Sequence, residues 1–326
     1  MDPVLLNDWH VVARSADIKL GTLTKARLLD IDLVMWRNSD GQIQVWQDRC
    51  PHRSIRLSEG QIVNDTVVCS YHGLVFDKVG HCISAPAHPD YKPPKQACVK
   101  TFKAQEKHEL VYASLGEPVV DIPAFPEWKD PSYRLCLCGP YPCHTSGLRA
   151  IENFLDVSHF PFVHSGTLGD SSQTAVEDYT VSVDNEGVAL HNVRVWQPDP
   201  DGQGQGEFVI YNYRVFRPLT AYFRKETLTG NCLSILFHVT PVAEEECVGW
   251  MWIAMNYAHD IPIEAMEQFQ NRLISEDFVL LASHNPKHLP LNMQMEFHLP
   301  CDRGSLAYRK WLKQLGLSYG AINPSL

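Results

Sequence analysis

The sequence predicts an α+β chain in two parts. An all-β domain spans residues 1–116, and a second domain, an antiparallel sheet covered by helices, spans residues 117–326. Three observations predict this. Short β-branched and aromatic runs, punctuated by turn residues, fill the first part. An aperiodic proline-rich stretch follows it. Beyond that, several longer strands precede one long helical period, the order expected of an α+β layer architecture.

In the first part, Trp9–Ala13, Thr24–Leu28, Ile31–Arg37 and Ile43–Asp48 are the strand-like runs, with Ser39-Asp40-Gly41 as a turn. Val67–Ser70 and Leu74–Phe76 add two more, bounded by Asn64-Asp65-Thr66 and Lys78-Val79-Gly80. Strands this short and this regularly spaced suit a small antiparallel sandwich or barrel. Residues 116–131, with Pro118, Pro123, Pro126 and Pro131, form the expected linker. Ser146–Phe160 is expected to be helical until Pro161 halts it. Tyr179–Val195 is expected to form a hairpin around Asn185-Glu186-Gly187, and Phe208–Phe216, Thr220–Thr227, Cys232–Thr240 and Val248–Asn256 are expected strands. The longest helix is expected over Pro262–His284, with Met266, Phe269, Leu273, Leu280 and His284 on its apolar face. Asp201-Gly202-Gln203-Gly204-Gln205-Gly206 lacks the dinucleotide-binding spacing and is expected to be a flexible hairpin turn.

Composition narrows the function. A net charge of −10 and no Lys/Arg run longer than two argue against a nucleic-acid partner, which needs a basic face. The start of the chain has no signal-peptide pattern, and no run approaches the roughly 18 apolar residues of a membrane span. A cytoplasmic protein without a membrane partner is expected. Ten cysteines in a reducing compartment are buried apolar side chains or metal ligands, seldom disulfides.

Two constellations carry chemistry. Cys50-Pro51-His52-Arg53 and Cys69-Ser70-Tyr71-His72-Gly73 give Cys-x-His and Cys-x2-His separated by 16 residues. A Rieske [2Fe–2S] cluster needs this set, two thiolates for one iron and two imidazoles for the other, with one of each from each loop. Zinc sites group their ligands by type, Cys with Cys and His with His, so the alternating order disfavours zinc. Pro51 and Gly73 are expected where tight turns bring backbone amides against the cluster.

The second is Asn153-x2-Asp156-x2-His159-x4-His164. Non-heme Fe(II) oxygenases bind iron through two His and one carboxylate and leave positions open for oxygen. Taken alone, the His pair could be core histidines. The cluster changes the balance, since single electrons need an acceptor and no other group of ligand types is as dense. The carboxylate is expected from Asp277, an acid on the apolar side of the long helix, where it needs a partner. An inward-leaning salt bridge is the plainer alternative for Asp277, and neighbouring Glu276 is the alternative ligand. Asp156 stands where it can bond the outer nitrogen of His159. Cys136-x-Cys138 with Cys143 and His144 is expected to be a strand entering a turn rather than a metal site. Cys82, Cys98, Cys232, Cys247 and Cys301 are expected to be buried apolar residues, and Trp250 and Trp252 to pack in a core.

On these residues the chain resembles the large subunits of the Rieske non-heme iron oxygenases. It departs from their usual pattern at Ser54, where Gly is common, and at Ser70 and Leu74, where Pro and Trp are common. Nearly the whole chain is similar to single-subunit monooxygenases of the vanillate demethylase group. Asn7–Val12, Val45–Asp48, Val157–Phe162 and Ala307–Leu312 resemble most closely the cyanobacterial hydroxylases of saxitoxin-type guanidinium alkaloids.

The resemblance implies a cluster on Cys50, His52, Cys69 and His72, mononuclear Fe(II) on His159, His164 and Asp277, and catalytic roles for Asp156 and Asn153. It also implies a homotrimer in which Asp156 meets His72 of a neighbouring subunit. The expected activity is O2-dependent hydroxylation of a C–H bond of a small molecule, such as a saxitoxin-type alkaloid. The alternatives are O- or N-demethylation of an aromatic compound, or electron carriage alone. No flavin or nicotinamide motif is present, so a separate NAD(P)H-dependent reductase is the expected partner.

Overall fold

The structure, a computed structural model, describes residues 2–323. It divides into a compact unit over Pro3–Ile122 and a second that begins at Pro123, so the division falls within the proline-rich stretch.

The first unit opens with the short helix α1 (Pro3–Leu6) and is otherwise β. Six strands, β1 (His10–Arg14), β2 (Thr24–Leu28), β3 (Ile31–Arg37), β4 (Ile43–Gln47), β9 (Thr101–Lys107) and β10 (Leu110–Ser114), form an antiparallel sheet in the order β1-β10-β9-β4-β3-β2. A smaller antiparallel meander joins β5 (Gln61–Val63), β6 (Thr66–Val68), β7 (Val75–Phe76) and β8 (Cys82–Ser84). These strands are only two or three residues long, too short to be stable by themselves. A common core holds them: Trp36 and Trp46, edge to face at 5.4 Å, pack with Leu57, Val67, Phe76, Cys50 and Cys69.

The second unit is α+β. Its antiparallel sheet has the order β11-β17-β16-β15-β14-β13-β12, built from β11 (Arg134–Cys143), β12 (Thr180–Asp184), β13 (Gly187–Gln197), β14 (Glu207–Arg217), β15 (Thr220–Glu226), β16 (Cys232–Ala243) and β17 (Glu246–Met255). Consecutive hairpins build the run from β12 to β17, and β11 closes the edge beside β17. Helices α2 (Gly147–Leu155), α4 (Ile263–Ala282) and α5 (Arg303–Gln314) cover it, touching β16, β11 and β13 respectively. Residues of the Ala307–Leu312 motif hold α5 in place. Tyr308 donates to the Pro218 carbonyl at 2.7 Å, and buried Arg309 binds Glu152 of α2 and Glu296.

Two helix expectations change. The expected Ser146–Phe160 helix ends at Leu155, well before Pro161. Asp156 turns extended at ψ 131°, and its carboxylate accepts from the Ser158 amide and hydroxyl. Pro161 lies in the first turn of the short helix α3 (Phe160–Val163), where a missing N–H does no harm. In α4 the buried residues are Met266, Gln270, Leu273, Ile274, Asp277 and Leu281, whereas Phe269 and Leu280 are exposed. Weighting Phe and Leu by hydrophobicity alone misplaced the face; the interior accepts Gln270 and Asp277 instead. Among the described residues no helix is long and apolar enough to cross a membrane.

Candidate metal centres

Cys50 follows β4, and Cys69 follows β6. The two loops close alike. The Cys50 amide donates to the Ile55 carbonyl at 2.8 Å and the Ser54 amide to the Cys50 carbonyl at 2.9 Å. The Cys69 amide donates to the Leu74 carbonyl at 2.9 Å and the Gly73 amide to the Cys69 carbonyl at 3.0 Å. The fifth residue of each loop must take a left-handed conformation: φ is +68° at Gly73 and +59° at Ser54. Glycine does this without strain. Ser54 takes the same conformation, and its hydroxyl oxygen accepts from Arg49 Nε at 3.0 Å.

This folding sorts the four side chains by type. The Cys50 and Cys69 thiols meet inside the core, where burial, with the Cys69 thiol beside it, pushes the Cys50 thiol up to about 11. Deprotonating both thiols there would require a strong local cation, as an iron pair supplies. His52 and His72 meet each other on the exposed side, with ring centroids 4.7 Å apart. Two sulfurs together and two imidazoles together fit the two irons of a Rieske cluster. The imidazole iron would then lie toward solvent, the side from which electrons can pass. Tyr71, 62% exposed, lies against His72 at 3.9 Å between ring centroids.

In the second unit, His159, His164 and Asp277 are the only His, Cys, Asp and Glu group among the described residues to offer three donor atoms within 4.8 Å of one another. His159 and His164 flank α3, and Asp277 projects from the buried face of α4. Asp277 Oδ1 lies 3.1 Å from His164 Nε2 and 3.4 Å from His159 Nε2, and the Asn153 amide on α2 approaches the same oxygen at 3.5 Å. Each imidazole is turned by a carboxylate on its outer nitrogen. Asp156 Oδ2 accepts from His159 Nδ1 at 3.0 Å, and Glu276 Oε2 accepts from His164 Nδ1 at 2.7 Å. With the outer nitrogens protonated, both Nε2 lone pairs point at the same spot as Asp277. Two imidazoles and one carboxylate on one side of a cavity fit Fe(II) with positions left open.

Charge follows the geometry. Burial acts against ionisation of Asp277, yet His159 and His164 hold its carboxyl down to about 2. Burial also disfavours the His159 cation, but Asp156 and Asp277 outweigh it and hold His159 up to about 9. The Asp277 carboxylate is thus ionised as a ligand must be, and a metal arriving here would displace a proton from His159. The alternative of Glu276 as ligand does not match this arrangement, because its carboxylate lies behind His164. Glu276→Ala is expected to weaken iron binding by about 10–100-fold, with Glu276→Gln recovering most of it, read by competition with an Fe(II) chelator. Equal affinity in Glu276→Ala and the parent would refute the orienting role.

The donor set opens onto a cavity of about 430 Å³. Phe154, Tyr211, Tyr213, Phe223 and Phe237 build its aromatic wall. The alternation of β17 splits its side chains: Met251, Ile253 and Met255 face the cavity, while buried Trp250 and Trp252 do not line it. Sequence reasoning singled out no individual wall residue; the polar ones include Gln197, Asp199, Asp201 and Lys225. Asp201 and Gly202, expected in a mere flexible turn, belong to the cavity wall.

Among the described residues the remaining cysteine cluster forms no group of three metal donors. Cys136 and Cys138 Sγ lie 3.6 Å apart, and the His144 imidazole is exposed. Cys232 and Cys247 are buried as expected, but Cys82 and Cys301 are only half-buried and Cys98 is exposed. Cys98 sits in the loop before β9, which the core does not cover.

Residues 8–103 match the Rieske [2Fe-2S] domain, and residues 143–318 match the vanillate O-demethylase oxygenase C-terminal domain. The chain is 28% identical to methylxanthine N1-demethylase NdmA of Pseudomonas putida over 97% of its own length and 92% of that protein. It is 30% identical to methylxanthine N3-demethylase NdmB of the same organism, covering 83% of this chain and 77% of that one. The solved structure of Pseudomonas putida NdmA superposes with a TM-score of 0.81 at 25% identity, covering 95% and 90% of the two chains. Dicamba monooxygenase shares the fold, with a TM-score of 0.79 at 21% identity over 95% and 97% of the chains.

Proposed function

The chain belongs to the Rieske oxygenases with a vanillate O-demethylase oxygenase C-terminal domain, and from that membership we propose that it oxidatively demethylates a small, mostly apolar ring compound. It is a Rieske-type non-heme iron monooxygenase that uses a [2Fe–2S] cluster and mononuclear iron. Placing the cluster on Cys50, His52, Cys69 and His72 and the iron on His159, His164 and Asp277 is part of this proposal. When bound, the two centres supply electron delivery and the insertion of one oxygen atom from O2 into a C–H bond.

One observation carries the reading: two histidines and a carboxylate open directly onto a cavity with aromatic and aliphatic walls. The walls exclude water and place a flat ring against the donor set. Hydroxylation of an N- or O-methyl carbon gives a carbinol that sheds formaldehyde and leaves N–H or O–H. Per turnover, one O2, two electrons and two protons give formaldehyde, demethylated product and water. A separate NAD(P)H-dependent reductase would supply the electrons; an oxidoreductase, NdmD of Pseudomonas putida, is among the chain's relatives, at 35% identity over 36% of this chain. Demethylation is favoured over the alkaloid hydroxylation first expected because two relatives similar over most of the chain, NdmA and NdmB, are named as demethylases.

A second reading, hydroxylation of a guanidinium alkaloid, has one observation in its favour. The carboxyl residues Asp199 and Asp201 line the cavity and would attract a cation. Under either reading the proposal includes a trimer in which Asp156 links His159 to a neighbouring subunit's cluster.

Single-turnover assays separate the readings. Dithionite-reduced protein, freed of excess reductant and exposed to O2, is expected to release formaldehyde from caffeine or vanillate. Nitric oxide with anaerobic reduced protein is expected to give an iron–nitrosyl signal that the substrate perturbs. A nitrosyl signal perturbed by a saxitoxin-type alkaloid, without formaldehyde from methylated rings, transfers the assignment to hydroxylation. No nitrosyl signal in iron-replete protein would leave only an electron carrier.

A further inference from the structure

Lys225 is the one lysine of the cavity wall among the described residues, and its environment is unusual. It lies on β15 on the same face as Phe223, and the side chain is buried. Its ammonium donates to Gln197 Oε1 at 3.2 Å and to the Pro200 carbonyl at 2.7 Å, both neutral acceptors. Among the described residues no carboxylate oxygen lies within ion-pair distance of it. Gln197 is held in turn, its amide donating to Tyr211 Oη at 2.9 Å. A buried ammonium has three protons to place and a large desolvation penalty, so folding alone gives little reason to keep it there.

We propose that Lys225, steadied by Gln197, is a specificity-determining residue that binds an acceptor oxygen of the substrate, either a ring or amide carbonyl or a carboxylate. This rests on the cavity being the substrate site, as proposed above. Two ammonium protons are committed to Gln197 and Pro200, which leaves one for a ligand. Beside it stand the carboxylates of Asp199 and Asp201 and the aromatic rings of Phe223 and Tyr211, so the lysine ammonium is a donor that can fix how a ring lies. Burial pushes the Lys225 amine down to about 8, with Asp201, Cys232, Asp199 and Glu207 acting in the opposite direction. It therefore remains mostly an ammonium near neutral pH. The nearby carboxylates are occupied: Asp199 accepts from the Gly204 amide at 2.8 Å, and Asp201 accepts from Asn231 Nδ2 at 2.9 Å. They keep the ammonium charged without closing an ion pair on it.

The rival explanation is structural, that Lys225 only pins the loop at Pro200 to the sheet. A matched series of probes separates the two: 4-methylanisole, which lacks a carbonyl or carboxylate, 4-methoxybenzamide with a neutral carbonyl, and 4-methoxybenzoate with a carboxylate. Binding to anaerobic iron-loaded protein is measured by calorimetry for the parent and for Lys225→Met, a change of similar length. The parent is expected to prefer at least one acceptor-bearing probe over 4-methylanisole by about tenfold or more, and Lys225→Met to lose that preference. Which of the two wins identifies the oxygen as carbonyl or carboxylate. A loosened loop would instead weaken all three probes alike and leave the preference intact, which would overturn the proposal. So would a parent that shows no preference or binds none of the three. Nitrosyl perturbation by 4-methylanisole is independent of Lys225, so the cavity can stand as the substrate site even where the lysine's role fails.

Discussion

Asp277→Ala is expected to yield a folded protein that keeps its Rieske signal, loses its mononuclear iron and no longer oxidises substrate. Asp277 contributes the one carboxylate oxygen between the two imidazoles, at 3.1 Å from His164 and 3.4 Å from His159. Removing it leaves two neutral nitrogens, a donor set too weak to hold Fe(II) against solvent. Changes that merely misorient a ligand already lower affinity or activity by about 10–100-fold, so loss of a ligand should exceed about a hundredfold. Stability is expected to change less. The substitution removes a buried carboxylate, but it also takes from His159 and His164 the group that pairs with their inner nitrogens. Those effects oppose each other. Iron analysis and nitrosyl resonance read the outcome. Retention of the nitrosyl signal in Asp277→Ala would remove the carboxylate from the ligand set.

The companion carboxylates make a sharper contrast. Asp156 and Glu276 lie behind the imidazoles, so their loss should loosen the metal rather than abolish it. A graded series, with Asp277 far worse than either, separates a ligand from residues that position ligands.

How much of this was legible in the sequence depends on how local each feature is. The proposed cluster set could be read because each loop carries its Cys and His within four residues. Most strands of the two larger sheets were legible from alternation and turn residues, with ends displaced by up to three residues, but β9 and β10 were not among the expected runs. Asp277 was legible as an acid among apolar positions, although the helix face around it was not. Phe269 and Leu280 looked like core and are exposed, whereas Gln270 is buried, its amide beside Met251 Sδ at 3.3 Å. That reversal depends on the partner strand, which no local pattern encodes.

Lys225 was not legible for the same reason. On an alternating strand a lysine next to Arg224 looks like a solvent-facing charge. Only the fold of β13 and its following loop over β15 encloses it. Glu276 was seen as a possible ligand, but its bond to His164 needs the crossing of α3 with α4. The proposed metal ligands could be picked by type and spacing; the residues that orient them or wall the cavity required the fold.

Cys69→Ser is expected to remove the cluster and, with it, the ordered state of the small meander. Cys69 is 2% exposed and packs with Val67, Phe76, Leu57 and Trp46, so the thiol belongs to the core as well as to the cluster site. Strands β5 to β8 hold two or three residues each, and their loops carry all four cluster ligands or lead directly to them. A sheet that small has little cooperative stability of its own. Binding energy at a site absent from the unfolded chain becomes folding energy, and here it would be concentrated in these loops. A hydroxyl cannot replace the thiolate, since its proton is lost far less readily. The expected results are no Rieske resonance, no turnover with any electron donor, and fast amide exchange across β5–β8. The six-stranded sheet should stay protected, because Trp36, Val34 and Met35 are fully buried within it. The second unit should still bind mononuclear iron and give the nitrosyl signal, since its donors come only from α3, α4 and their flanks. Survival of protection across β5–β8 without the cluster would show that Trp36, Trp46 and Phe76 hold the meander alone. Loss of the nitrosyl signal as well would show that the two centres assemble as one.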